Sequence, residues 1–294
     1  MDETELLAER FEARRPHLRS VAYRMLGSLS EADDAVQEAW LRLSRSDTSD
    51  IENLAGWLTT VVGRICLDML RSRTSRREDP LDVYVPDPIV SSIRGTDPEQ
   101  EALVADSVGL AMLVVLDTLP PAERLAFVLH DMFAVPFDEI APIVGRTPTA
   151  TRQLASRARR RVQGAEPAQD TDLARQREIV DAFIAASRGG DFEALVSLLD
   201  PDVVLRVDGG VLAAGASKVV RGAETVAGQA LMFRHFSPYA RSVLINGTVG
   251  SITLPEGKAV AIMAFTFSNG KVVQLDILAD PERLRQIDVA ALNV

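Results

Sequence analysis

The chain has 294 residues, 47% of them hydrophobic, which suffices for about two to three domains with real cores. Its net charge of −10 excludes a protein that coats nucleic acid through a general cationic excess, so any DNA contact must be local. A single cysteine, Cys66, excludes a disulfide framework and a cysteine zinc site.

His17, His130 and His235 are scattered without ligand spacing, so neither a metal nor a cofactor is expected. The opening MDETELLAERFEARR is acidic and lacks an apolar signal core, and no uncharged run is long enough to span a bilayer. These features predict a soluble, cytoplasmic chain with no membrane partner.

The first block, residues 6–77, reads as helical throughout. Apolar residues recur at three and four spacing: Leu18, Val21, Ala22 and Met25; Val36, Ala39, Trp40 and Leu43; Leu58, Val61, Val62, Ile65 and Leu70. Within it, EADDAVQEAWLRL presents Glu31, Asp33, Asp34 and Glu38 near Gln37, Trp40 and Leu41, a surface suited to a basic partner helix or simply to solvent. Farther on, Arg64, Arg71, Arg73, Arg76 and Arg77 grow denser toward a helix end, with Trp57 upstream. Arginines beside an aromatic suit a strand whose bases are unstacked and held. Cations at a helix C-terminus beside a core tryptophan have the same composition, so the cluster alone leaves both readings open.

A linker follows at residues 78–98, rich in Pro, Asp and Ser, and its YVPDP run, Tyr84 to Pro88, is expected to be extended. Residues 99–164 begin with the apolar helix DSVGLAMLVVLDTL and close with FDEIAPIVGRTPTATRQLASRARRRV, Phe137 to Val162. Thr147 can cap a helix that Pro148 starts, and Gly145 permits the left-handed turn before it. Phe137, Ile140 and Val144 should bury the first helix; Ala150, Leu154, Ala158 and Val162 should bury the second. Opposite lie Arg152, Gln153, Ser156, Arg157 and Arg160, with Arg159 and Arg161 beside them. Arginine forks fit phosphate oxygens or guanine O6 and N7, and Gln153 can meet an adenine edge. The segment reads as a DNA-binding helix-turn-helix despite Pro142 inside its first helix.

Residues 172–287 change period. Leu173 to Arg188 predicts a helix ended by Gly189-Gly190, and FEALVSLL a second. VVLRVDG, SVLINGTVGSITL and AVAIMAFTFSNGKVVQLDIL then read as strands, turned at Asn246-Gly247 and Asn269-Gly270 and interrupted by a helix over about Glu224 to Phe236. This predicts an α+β domain of helices on a curled antiparallel sheet.

In order, FEARRPHLRSVAYRMLGS, EADDAVQEAWLRL, GWLTTVVGRICLDMLRSRTSRR and LPPAERLAFVLHDMFAVPFDEIAPIVGRTPTATRQLASRARRRV resemble regions 2 and 4 of an extracytoplasmic-function (group IV) RNA polymerase sigma factor. YVPDP, VDGG at Val207 to Gly210 and DPERL at Asp280 to Leu284 are similar to short motifs of the subgroup with a C-terminal SnoaL-like (NTF2-like) domain. The resemblance implies a multidomain protein: two all-α domains, then the α+β one. It implies partners in promoter DNA and in the β and β′ subunits of core RNA polymerase. Asp33, Asp34, Gln37, Glu38, Trp40 and Leu41 fall where such factors bind the β′ coiled coil. Asn53, Trp57, Arg64, Arg71, Arg73, Arg76 and Arg77 fall where they recognise and melt the downstream, minus-ten element. Arg152, Gln153, Ser156, Arg157 and Arg160 fall on the helix that reads the upstream, minus-thirty-five element.

For the third domain, Tyr84, Pro86, Asp87 and Pro88 of the linker are expected to meet Asp208, Gly209, Gly210, Asp280, Pro281 and Leu284 as a regulatory contact. Such control would require no separate anti-sigma factor, and a small ligand could instead shift the equilibrium. SnoaL-like folds also include enzymes, for which Asp208, His235 and Arg206 are the candidate residues, but fold analogy cannot carry catalysis and none is expected. A ligand-sensing helix-turn-helix regulator is the alternative, distinguished by its failure to bind core polymerase.

Overall fold

The computed structural model describes residues 3–46, 53–75, 83–93, 109–165, 172–210 and 217–292. Contacts divide the chain into two compact units, Met1–Glu78 with Met112–Glu166, and Asp79–Ala111 with Pro167–Val294.

The first unit is helical: α1 (Glu3–Glu12), α2 (Arg15–Leu26), α3 (Leu29–Leu43), α4 (Leu54–Ser75), α5 (Leu110–Asp117), α6 (Pro121–Phe127), α7 (Phe137–Val144) and α8 (Pro148–Ala165). The apolar spacing of α2, α3 and α4 brings Leu18, Met25, Leu26, Leu43, Leu58 and Leu67 together, fully buried with Phe11. Gly27, at φ 68°, ends α2 by donating its N–H to the Tyr23 carbonyl. Asn53 begins α4 by accepting the Gly56 N–H on Oδ1 at 3.1 Å. Both sequence blocks share this unit because α4 carries Gly63 where α6 and its continuation pass: a Cβ there would lie 3.0 Å from Leu129 and 3.3 Å from Leu125. The buried Arg124 adds a second tie, donating to the Met25 carbonyl and to Asp117, each at 2.9 Å.

The second unit is α+β. Asp172 caps α9 (Leu173–Gly189) and Gly190 closes it at φ 74°; α10 (Phe192–Leu198) follows, as its spacing predicts. β1 (Val90–Ser91), β2 (Leu199–Asp208), β3 (Lys218–Arg221), β4 (Ala240–Ile245), β5 (Thr248–Thr253), β6 (Ala261–Ser268) and β7 (Lys271–Leu278) form a sheet ordered β1-β4-β5-β6-β7-β2-β3. Asn246-Gly247 and Asn269-Gly270 all have positive φ, which matches the two-residue turns of β4–β5 and β6–β7. The sheet is open and mostly antiparallel, but β2 and β7 pair in parallel, since β2 opens the sheet and β7 returns to its side. The helix expected through Phe236 is shorter: α11 (Ala223–Met232) gives way to a 3-10 turn over Arg234–Tyr239 that contains Pro238, which cannot donate to an α-helical ladder. Phe183, Leu195, Leu205, Phe265, Phe267 and Leu275 form the core between the helices and one sheet face.

The first strand was not legible as one. β1 (Val90–Ser91) belongs to the linker and pairs antiparallel with β4, Val90 opposite Ile245. Val83, Val85 and Ile89 are buried, so residues 83–93 of the linker are a structural part of the second unit rather than a solvated tether.

Candidate functional sites

The helix-turn-helix is assembled by short-range chemistry. Gly145 turns the chain at φ 66°, and the Ala150 N–H donates to Thr147 Oγ1 at 3.2 Å as the cap. The buried stripe of α8 differs from expectation: it runs Thr151, Ala155, Ala158, Val162, with Ala150 and Leu154 only half-buried. A strict four-residue repeat drifts around a 3.6-residue helix, so the core follows the mixed four, three, four spacing. Phe137, expected inside, is half-exposed and stacks on His130 at 3.7 Å, with the Arg152 guanidinium over its ring.

That rotation leaves Arg152, Gln153, Arg157 and Arg160 exposed and Ser156 half-buried on the outer face of α8. Not all of its arginines are equivalent. Arg159 pairs with Asp131, and Arg157 and Arg161 share Glu123.

In the first block, Asp33, Asp34, Gln37 and Leu41 are exposed on α3. Asp33 pairs with Arg19 at 2.7 Å and Glu38 with Arg42 at 2.9 Å, while Trp40 leans on Phe11 with ring centroids 5.1 Å apart. Of the candidates on α4, Arg64 is exposed, Trp57 half-buried and Asn53 committed to capping. Arg71 stands 3.9 Å from Asp68, and Arg73 pairs with Glu31. Arg76 and Arg77 lie outside the described residues. Trp57 and Arg64, with Arg45, face Glu139, Pro142 and Ile143 of α7 across a cleft of 480 Å³.

A dense polar cluster lies in the second unit, around Asp208, which is 1% exposed. Its Oδ2 accepts the Val85 N–H at 3.0 Å and Arg283 Nη1 at 2.9 Å; its Oδ1 accepts the Gly210 N–H at 3.0 Å. Arg283 also donates through Nε to Asp87 and through Nη2 to the Val85 carbonyl, both at 2.6 Å, and lies over the Tyr84 ring. Burial acts to lower the Arg283 pKa, but Asp87, Tyr84 and Asp208 outweigh it and hold the value above the ordinary one. Asp280 caps the turn Pro281–Leu284 by accepting the Glu282 N–H, and its carboxyl fills the space where a Cβ on Gly210 would stand. Pro86, Pro88 and Leu284 are buried, and Gly209 donates to Ser217 Oγ.

All ten residues expected to form the regulatory contact therefore belong to the elements that meet at this cluster. The sequence reading missed its hub: Arg283 stood inside DPERL without a role, although a lone arginine among Asp87, Asp208 and Asp280 was the available signal. It also missed Asn246, whose Oδ1 accepts the Ile89 N–H at 2.9 Å while its own N–H donates to the Ile89 carbonyl. Asp208, Arg206 and His235 have separate commitments. Arg206 pairs with buried Asp276 at 3.2 Å, and His235 is exposed against Phe236. Among the described residues no cluster of His, Cys, Asp and Glu could hold a metal, and no helix is long and apolar enough to cross a membrane.

Residues 10–76 match Sigma-70 region 2 and residues 110–162 match Sigma-70, region 4, which defines the class: a promoter-specificity subunit of RNA polymerase. The chain is 42% identical over 288 residues to the ECF RNA polymerase sigma factor SigJ of Mycobacterium tuberculosis, covering 93% of this chain and 91% of that relative. It is 34% identical over 289 residues to the probable ECF RNA polymerase sigma factor SigI of the same organism, covering 97% of each. The crystal structure of SigJ superposes with a TM-score of 0.78 at 40% identity, over 96% of this chain and 99% of that one. The chain thus belongs to the ECF RNA polymerase sigma factors, and it supports promoter-directed transcription initiation with core polymerase.

Proposed function

We propose that this sigma factor is controlled by its own C-terminal domain, through the linker between regions 2 and 4. The observation that carries this reading is the buried Asp208–Arg283 cluster, which binds Val85 and Asp87 of the linker and sets β1 into the domain's sheet. Linker residues held there cannot also serve as free tether between the two promoter-reading regions, so docking and release change the span those regions can reach. Such control is intramolecular and requires no separate anti-sigma factor; a small ligand of the domain would act by biasing the same equilibrium. The domain is regulatory rather than catalytic: two of its three candidate catalytic residues, Asp208 and Arg206, hold structural partners.

The exposed residues Asp34, Gln37 and Leu41, with Asp33, Glu38 and Trp40, form the surface for the β′ coiled coil. Trp57, Arg64 and the following arginines engage the melted downstream element, and Arg152, Gln153, Ser156, Arg157 and Arg160 engage the upstream duplex. A protein with these partners works in the cytoplasm. The test is transcription in vitro with purified core polymerase and a truncation series from Asp280 onward. Promoter output should change as the cluster is lost, and unaltered output across the series would remove the support for linker control.

A further inference from the structure

We infer that Glu123, outside the DNA-reading helix, is a positioning residue that sets the base selectivity of Arg157. Glu123 lies in the first turn of α6, and its side chain is 9% exposed. Its Oε1 stands 3.2 Å from Arg157 Nε and its Oε2 2.8 Å from Arg161 Nη1, while the two arginine side chains are 51% and 53% exposed. One buried carboxylate thus spans two arginines of α8. They sit four residues apart on one face.

The geometry at Arg157 is asymmetric. The carboxylate approaches Arg157 at Nε, the stem side of the guanidinium, as an ion pair, and about half of the arginine side chain stays exposed. The fork of Nη1 and Nη2 is the part that fits guanine O6 and N7 or a phosphate. A free arginine would sample many rotamers and reach several phosphates. Paired with Glu123 through Nε, it samples fewer of them.

Immobilising a long side chain before binding avoids about 0.5–1.5 kcal/mol of ordering cost, or about 2- to 12-fold in affinity for the matching base. The same carboxylate offsets charge from both arginines and so weakens sequence-independent attraction to phosphates. Glu123 therefore lowers general affinity while raising selectivity. Arg159, held instead by Asp131, follows a separate anchor.

This inference rests on α8 reading the upstream element, and the experiment separates the two. Holoenzyme assembled from core polymerase and the full chain is presented with a promoter library randomised across the upstream element, and bound sequences are counted. Glu123→Gln, which preserves shape and removes charge, should flatten preference about 2- to 12-fold at one or two adjacent positions and strengthen binding to unselected duplex. Arg157→Gln should flatten the same positions, and adding E123Q to it should change selectivity no further. Arg152→Gln should flatten different positions, and Arg161→Gln should leave all preferences within about 2-fold. Glu123→Asp, which keeps the charge but withdraws the carboxylate from Arg157, should also flatten the preference, covering the case in which E123Q fails to fold. An unchanged thermal midpoint for E123Q marks its effect as positional. If R157Q flattens the preference and folded E123Q does not, the inference is overturned. If neither R157Q nor R152Q moves any preference, the reading of α8 itself fails.

Discussion

Replacing Arg283 by alanine should release the linker. Among the described residues, Arg283 is the one side chain that touches linker backbone, linker carboxylate and domain carboxylate together: Val85, Asp87 and Asp208. Its side chain is 18% exposed, that of Asp87 14% and that of Asp208 1%. Breaking a buried pair by removing one partner costs about 3–5 kcal/mol. Asp208 retains the N–H groups of Val85 and Gly210, and the partial exposure of Arg283 admits some screening, which brings the expected loss to about 2–4 kcal/mol. That corresponds to a roughly 30- to 700-fold rise in linker opening. Hydrogen exchange measures it directly, because the Val85 and Ile89 amides are held by Asp208 and Asn246. Exchange over residues 83–91 should accelerate while β6 and β7 keep their protection, and transcription with core polymerase should shift in parallel. Arg283→Lys should fall between, keeping charge without the fork. Unchanged linker exchange in R283A would refute the assignment of Arg283 as the hub.

Gly210→Ala tests the same cluster from the domain side. At φ 72° and with the Asp280 carboxyl in the way, a methyl group should destabilise the domain by at least about 1–3 kcal/mol and loosen the turn at Pro281–Leu284; a thermal midpoint and linker exchange equal to wild type would count against it. Thr147→Ala removes the cap of α8 and should cost about 0.5–2 kcal/mol, seen as a lower midpoint with upstream-element selectivity retained. Asp276 gives a pH signature. Burial raises its pKa despite Arg206 and Gln274, so the folded state holds a proton more readily than the unfolded chain. Its favourable contribution is complete below the unfolded carboxylate value and is lost as pH rises through the folded one. Wild type should therefore gain stability relative to Asp276→Asn as pH falls toward the ordinary carboxylate range of about 4, and a difference independent of pH would contradict the buried-carboxylate account.

What the sequence determined by itself was local. Thr147-Pro148, Gly145, Asn246-Gly247 and Asn269-Gly270 specify caps and turns through their own backbone preferences, so the helix-turn-helix and the strand hairpins were readable from adjacent residues. The motif order sufficed to place regions 2 and 4 and the α+β domain. Which side of α8 is buried needed its packing partner, because four-residue and mixed spacing differ by one position and only contact with α6 and α7 selects Thr151 and Ala155. The basic clusters were legible as clusters but not as individuals: Arg73, Arg159 and Arg161 are committed to Glu31, Asp131 and Glu123, partners 28 to 42 residues away. The tertiary structure alone decided the linker. A stretch whose apolar residues are interrupted by Pro86 and Pro88 carries no clear strand signal, and it becomes a strand because β4 offers an unpaired edge and Asp208, Asn246 and Arg283 offer partners more than a hundred residues along the chain. Interactions at such separation leave no periodicity in the sequence, since each side supplies only one residue of a pair that folding alone brings together.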